Sequence, residues 1–194
     1  MTARTPPPAH VAAEADLAAL GARFAEAVLA ARSSPGEPTA LVDGARLLEI
    51  ARWLRDDAGY GFLRSVTAVD HLPASPRFHV VYHLTALPAH VLAGEPTPGA
   101  DAPSRLLRLK VAVPADDPEV PSLTGLYPTA DWHERETFDM FGIRFAGHPD
   151  LRRILMPAGT IGHPLRKDFP LGYEEVAFSD NRAEIARRKP RAGA

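Results

Sequence analysis

The sequence predicts a small globular α+β domain, with helices covering one face of a largely antiparallel sheet, followed by a long extended C-terminal tail. Three observations predict it. Two segments near the N-terminus carry apolar residues at helical spacing, later segments alternate apolar and polar residues, and the stretch from 143 to 180 has neither period. At 194 residues and 45% hydrophobic the chain can bury one sizeable core. Its 20 prolines, against a usual share of about 5%, require that much of it run as turns or extended segments. The absence of cysteine excludes disulfides, thiolate zinc sites and iron–sulfur clusters held by the chain's own sulfur.

Residues 1–10, with the run Pro6-Pro7-Pro8, read as a disordered arm. Leu17, Leu20, Phe24 and Val28 then form one apolar stripe, which predicts a first helix running on until Ser33-Ser34-Pro35-Gly36 stops it. A short strand over Thr39–Val42 leads to Asp43, placed as an N-cap. Leu47, Ile50, Ala51 and Leu54 follow at i, i+3, i+4, i+7, the packed face of a second helix. A strand over Phe62–Val69 comes next. Phe78, Val80, Tyr82 and Leu84 share one strand face, and Leu107, Leu109, Val111 and Val113 another, with His79, His83, Arg108 and Lys110 opposite them. These predict a pair of antiparallel strands with one wet face, joined by a long proline-rich hairpin excursion over Pro88–Pro103. A third helix from Thr129 or Ala130 to Phe141, stopped by Gly142, closes a globular part spanning 11–142.

The segment 143–180 is punctuated by Pro149, Pro157, Pro164 and Pro170, yet it carries Phe145, Leu151, Ile154, Leu165, Phe169 and Phe178. Disordered segments are poor in such residues. A stretch too irregular to build its own core and too apolar for water is explained by extended docking on a partner protein. Residues 181–194 form a basic flexible tail, with five basic residues against Glu184 between Arg182 and Arg191. The net charge of −2 gives no global case for nucleic acid or anionic lipid, and no run approaches the roughly 18–20 apolar residues of a bilayer span. Glu14, Asp16 and Glu26 near the start are unlike a transit peptide or secretory signal, so the expectation is a bacterial cytoplasmic product.

Between Asp131 and Asp168 six acids face six bases, a balance that suggests mutual pairing. Helical spacing puts Arg135 on one face with both Asp131 and Asp139. Trp132, Phe138, Met140 and Phe141 leave little circumference for a solvated side, so charges on this helix should be partly buried and paired. Catalytic readings are weak. Glu134 and Glu136 point about 200° apart on a helix and cannot converge on one substrate. His133, His148 and His163 have no compact zinc spacing, the Arg-rich blocks are interleaved with acids, and no phosphate loop, dinucleotide fingerprint or serine elbow occurs.

Three dense blocks carry a family resemblance: Trp132-His-Glu-Arg-Glu-Thr-Phe-Asp-Met-Phe-Gly-Ile143, Gly147-His-Pro-Asp-Leu-Arg-Arg-Ile-Leu-Met-Pro157 and Gly162-His-Pro-Leu-Arg-Lys-Asp-Phe-Pro170. Their order and spacing strongly resemble the C-subunit family of NADH:quinone oxidoreductase, respiratory complex I. Arg77–Leu84 and Pro121–Thr124 extend the likeness upstream. The resemblance implies a non-catalytic structural subunit of the peripheral arm whose tail wraps the large D-type subunit of the quinone module, on the cytoplasmic side of the bacterial inner membrane. It implies no cofactor in this chain, with FMN and iron–sulfur clusters in partner subunits. It also implies structural and interface roles for Glu134, Arg135, Glu136, Asp139, Phe141, Gly142, His148, Arg152, Arg153, His163, Arg166, Lys167 and Asp168. Two departures stand out: Ala158-Gly-Thr-Ile161 replaces an acidic, Trp-containing stretch, and the 88–103 excursion exceeds the family norm. Related scaffold subunits occur in membrane-bound hydrogenase and ferredoxin- or F420-linked complexes, which is the alternative within the same fold. A free-standing anion-binding module is the alternative outside it.

Overall fold

Five strands form, with side-chain burial alternating along β2, β3 and β5, most of β4 buried and the edge strand β1 largely exposed: β1 (Val28–Arg32), β2 (Thr39–Val42), β3 (Phe62–Asp70), β4 (Phe78–Ala86) and β5 (Arg105–Val113). They form one sheet in the order β1-β2-β5-β4-β3. The structure, a computed structural model, describes residues 9–33, 37–87 and 104–170. Residues 1–8 of the expected arm, the excursion at 88–103, the end of the expected docking segment and the basic tail lie outside the described residues.

As the alternation predicts, β4 pairs antiparallel with β5, Tyr82 opposite Leu109 and His83 opposite Arg108; β3, whose partner the sequence leaves open, pairs antiparallel with β4. One edge is mixed, because β2 runs parallel to β5. Phe78, Val80, Tyr82 and Leu84 are buried with Leu107, Leu109, Val111 and Val113, while His79, His83, Arg108 and Lys110 stand half-buried on the opposite face.

Helices α1 (Ala9–Arg23), α2 (Leu47–Asp56) and α3 (Ala130–Phe141) cover the apolar face, and one core unites them with the inward side of the sheet. The first helix is shorter than its stripe predicts. It ends at Arg23, and Val28 opens strand β1, which pairs antiparallel with β2. The physical reason is that a helix-like turn, with the N–H of Val28 donating to Phe24 O at 2.9 Å, carries the i, i+4 spacing past the helix end. Periodicity alone cannot separate such a turn from another turn of helix.

Asp43 does cap, but it caps the single 3-10 turn Gly44–Arg46 that leads into α2, accepting the Ala45 N–H at 3.0 Å. Leu47, Ile50, Ala51 and Leu54 are buried as their spacing predicts. Thr129 fixes α3 to the adjacent strand, its Oγ1 donating to Leu63 O at 2.9 Å, while Thr137 Oγ1 donates to His133 O of its own helix at 2.8 Å and lies 3.3 Å from Val66 O. Either side of α3, the short strands β6 (Glu119–Pro121) and β7 (Arg144–Ala146) pair in parallel. Residues 147–170 then run without helix or strand, and their polar groups return to α3 and to the β3–β4 end of the sheet.

Candidate functional site

An α-helix leaves its last four carbonyl oxygens without intrahelical donors. In α3 each finds one. Phe138 O accepts the N–H of Gly142 at 2.8 Å and Met140 O that of Leu165 at 3.1 Å. Asp139 O accepts from His163 Nδ1 at 2.9 Å, and Phe141 O from Arg166 Nε at 2.6 Å. The Gly162–Asp168 block is therefore the C-terminal cap of α3, and it places a guanidinium where the helix dipole is negative. Burial lowers the His163 pKa, which suits a neutral ring donating through Nδ1. Gly142 makes the close approach possible. Its φ of 72° is left-handed, and a Cβ there would lie 2.6 Å from Arg166 Nη2 and closer still to the His163 ring.

Asp139 joins the second block to the same helix. Its side chain is fully buried, and Oδ2 accepts three consecutive backbone N–H groups, Ile154 at 3.0 Å, Leu155 at 2.8 Å and Met156 at 2.8 Å. Oδ1 accepts from Arg153 Nη1 at 2.7 Å, and Arg153 Nη2 donates onward to Gly162 O at 2.9 Å. Burial by itself would raise the pKa of this carboxyl; the three N–H donors and the guanidinium outweigh it and hold the group below its ordinary value.

A second junction ties the third block to the sheet. Buried Asp70 accepts from Arg77 Nη2 at 2.7 Å, Arg77 Nε at 3.0 Å and the backbone N–H of Lys167 at 2.9 Å. The same guanidinium reaches both carboxylate oxygens of Asp168, at 2.7 and 3.0 Å. Arg77 above all holds the Asp70 carboxyl far below the usual carboxylate range. Lys167 Nζ donates to Leu72 O at 3.3 Å.

Glu134 looks the other way along α3. It has no solvent exposure, and it accepts from Ser122 Oγ at 2.6 Å and from the Leu123 N–H at 2.7 Å, which pins the loop after β6. Burial pushes its pKa up to about 7 against those two donors. Both oxygens are occupied and sealed from water, so no substrate can reach a proton held there. Glu136 is exposed, which leaves no dyad for acid–base work.

Spacing along α3 misplaces two ion pairs. Arg135 does not pair with Asp131 or Asp139. Its Nε donates to Arg152 O at 3.3 Å while its guanidinium lies 5.3 Å from the Trp132 ring centre. Asp139 is turned inward and already saturated by residues 153–156, and Asp131 sits by His148. His148 accepts the Asp150 N–H at its Nδ1 and lies 3.2 Å from Asp131 O through Nε2, which fixes a turn rather than a metal. The helix also has a solvated side, contrary to its composition, since Trp132 is 63% exposed beside Glu136. Among the described residues Arg152 pairs with exposed Asp150 alone, and Phe141 is a core residue.

Seven of the thirteen predicted residues thus fall into two clusters, while Glu134, Arg135, Glu136, Phe141, His148 and Arg152 lie outside them. Asp139, Gly142, Arg153, His163 and Arg166 meet at the end of α3, and Lys167 and Asp168 meet at Asp70 and Arg77. Sequence reasoning assigns no role to Asp70, Arg77 or Ser122. Arg77 and Ser122 lie in the two weaker upstream blocks, a signal that could have found them; Asp70 lies outside every block. Among the described residues no three His, Asp or Glu side chains converge so as to hold a metal ion, and no helix is long and apolar enough to cross a membrane.

Comparison with known proteins agrees with the three blocks. Residues 40–175 match the family described as respiratory-chain NADH dehydrogenase, 30 Kd subunit. The NADH-quinone oxidoreductase C-subunit of Roseiflexus sp. (strain RS-1) is 47% identical over 173 residues, covering 88% of this chain and 91% of that one. The protein of the same name from Herpetosiphon aurantiacus is 45% identical over 157 residues, covering 80% and 84%. Among solved structures, a trypsin-resistant fragment (1-134) of Nqo5 superposes with a TM-score of 0.57 at 30% identity, covering 72% of this chain and 99% of the fragment. A chain of the archaeal membrane-bound sulfane sulfur reductase shares the fold, with a TM-score of 0.64 at 21% identity over 81% of this chain and 85% of that one. With its fold, its three blocks and these relatives in agreement, the chain belongs to the respiratory-chain NADH dehydrogenase 30 Kd subunit family.

Proposed function

We propose that this chain is a non-catalytic structural and assembly subunit in the peripheral arm of NADH:quinone oxidoreductase, the complex that transfers electrons from NADH to quinone. The segment expected over 143–180 docks on the large D-type subunit of the quinone module, at the cytoplasmic side of the bacterial inner membrane, from Gly147 onward, since Ile143 and Phe145, beside and within strand β7, belong to the core. FMN and the iron–sulfur clusters belong to partner subunits. One observation carries the reading: side chains of catalytic type are committed to joining segments of the chain. Asp139, Arg153, His163 and Arg166 bond backbone and one another. Their geometry fixes the path of residues 147–170 and leaves Leu155, Ile161 and Leu165 exposed along it. Apolar side chains held outward on an irregular, internally anchored path suit a surface that another protein covers.

Affinity purification of the tagged chain from gently solubilised membranes of its native host, with mass spectrometry of the co-purifying chains, tests this. Recovery with a large quinone-module subunit and NADH-oxidising subunits is expected. Recovery with hydrogenase or ferredoxin-linked subunits would keep the scaffold and change the donor, and recovery of the chain alone would overturn the proposal.

A further inference from the structure

Among the described residues the five-stranded sheet is covered by helices on one side only, and the charged side chains at outward strand positions on the other side are all basic. Outward positions or the adjoining bulge on its strands carry Arg32, Arg64, Arg108 and Lys110, with His79 and His83 between them. Asp70 is the one acid in any of the five strands, and it faces the covered side, engaged by Arg77. Between the cations lie apolar groups, among them half-buried Leu41 and exposed Val69. Into this face opens a cavity of about 330 Å³ lined by Arg64, Ser65, His83, Arg108 and Glu37.

Hydrogen bonds fix the cavity's character. Arg108 Nε donates to His83 Nε2 at 3.2 Å, so His83 is neutral and its Nδ1–H donates to Ser65 Oγ at 2.9 Å. Desolvation, helped by Arg64 and Lys110, lowers the His83 pKa in the same sense. With its oxygen occupied as an acceptor, the Ser65 hydroxyl has its own proton to give. Arg64, which is exposed and has no hydrogen-bond partner among the described residues, adds a guanidinium at the rim. Glu37, paired with Arg108, already sets a carboxylate against this wall.

We infer that the uncovered sheet face docks an acidic surface of a neighbouring subunit, with one of that partner's carboxylates seated against Arg64 and Ser65. The inference rests on the proposed membership of a multi-subunit complex and adds the face and the chemistry of a second contact. The face favours protein over the other anionic surfaces. Single-stranded nucleic acid is held by aromatic stacking platforms, and Phe62 is the one Phe, Tyr or Trp at an outward strand position. Anionic lipid is gathered by clusters of several Lys or Arg, whereas here arginines alternate with apolar groups, as at protein interfaces.

The test places a photo-crosslinking residue at Thr67, which is exposed in the middle of β3, and irradiates the complex purified from its native host. The expected product joins Thr67 to an Asp- or Glu-rich segment of another subunit. The double substitution R64E/K110E should cut its yield on the order of tenfold, because like charges then meet across the contact. Neither residue bonds another described side chain, so the isolated variant should unfold within about 4 °C of the parent. If it does not fold, the product formed at Thr67 in the otherwise unaltered chain decides alone. A product with lipid, with nucleic acid or with residues 88–103 or 171–194 of the same chain overturns the inference, as does a yield indifferent to charge reversal or no product at all. A chain that co-purifies with no oxidoreductase subunit sinks the function proposal instead, and that result is read before irradiation.

Discussion

Asp139 shows how a buried charge is held: four donors converge on a carboxylate that has no exposed surface. Deleting one member of such a buried pair costs about 3–5 kcal/mol, because the partner stays buried and unpaired. Asp139→Ala should therefore lose about that much in urea unfolding, and a loss within the experimental scatter would contradict the assignment. The i, i+4 arithmetic pairs Asp139 with Arg135, since spacing reveals only neighbours on the same helix; the true partner is Arg153, 14 residues on. The resemblance picks out Asp139 and Arg153 as residues without saying that they touch. Asp70 is less legible still. It is a lone acid at a strand end, and its junction with Lys167 spans 97 positions, which no local pattern can carry.

At the scale of the element, α3 is governed by its two ends. Gly142 is legible as a helix stop, but its second duty, making room for His163 and Arg166, depends on a block far downstream. Gly142→Ala combines left-handed strain of about 1–2 kcal/mol with a clash. Hydrogen exchange at Leu165, whose N–H caps Met140 O, should accelerate on the order of tenfold or more, since each 1.4 kcal/mol is tenfold. Unchanged protection there would refute the cap. Toward the other end, Glu134 sets a pH dependence. Its folded pKa of about 7 lies above its ordinary value of 4.5, so the folded state binds more protons between those values. Stability from this group is fully present below about pH 4.5 and is lost as pH rises through about 7, by on the order of 3 kcal/mol. Glu134→Gln should flatten that slope in unfolding measured across the window, and a retained slope would assign it elsewhere. Asp70 and Asp139 act in the opposite sense, with depressed values whose contribution is lost only as pH falls into the acid range. The α1 stripe teaches a limit of pattern reading: Phe24–Val28 keeps helical spacing in a turn, and strand pairing with β2 decides where the helix ends.

For the molecule as a whole, strands β2 to β5 and the covering helices are legible because alternation and helical periodicity report which face is buried, whereas the exposed edge strand β1 and the parallel β2–β5 pairing are not. The path of residues 147–170 is not, because it is set by side-chain-to-backbone bonds between distant positions. Those bonds make the segment a shaped extension of the domain, and under the proposed function shape, not chemistry, is what this chain contributes. The most direct test replaces Arg153, which joins Asp139 to Gly162, with alanine in the native host. Assembled complex is then quantified beside NADH:quinone turnover per complex. Less assembled complex with turnover per complex unchanged is expected; normal assembly with abolished turnover would contradict a structural role for this chain.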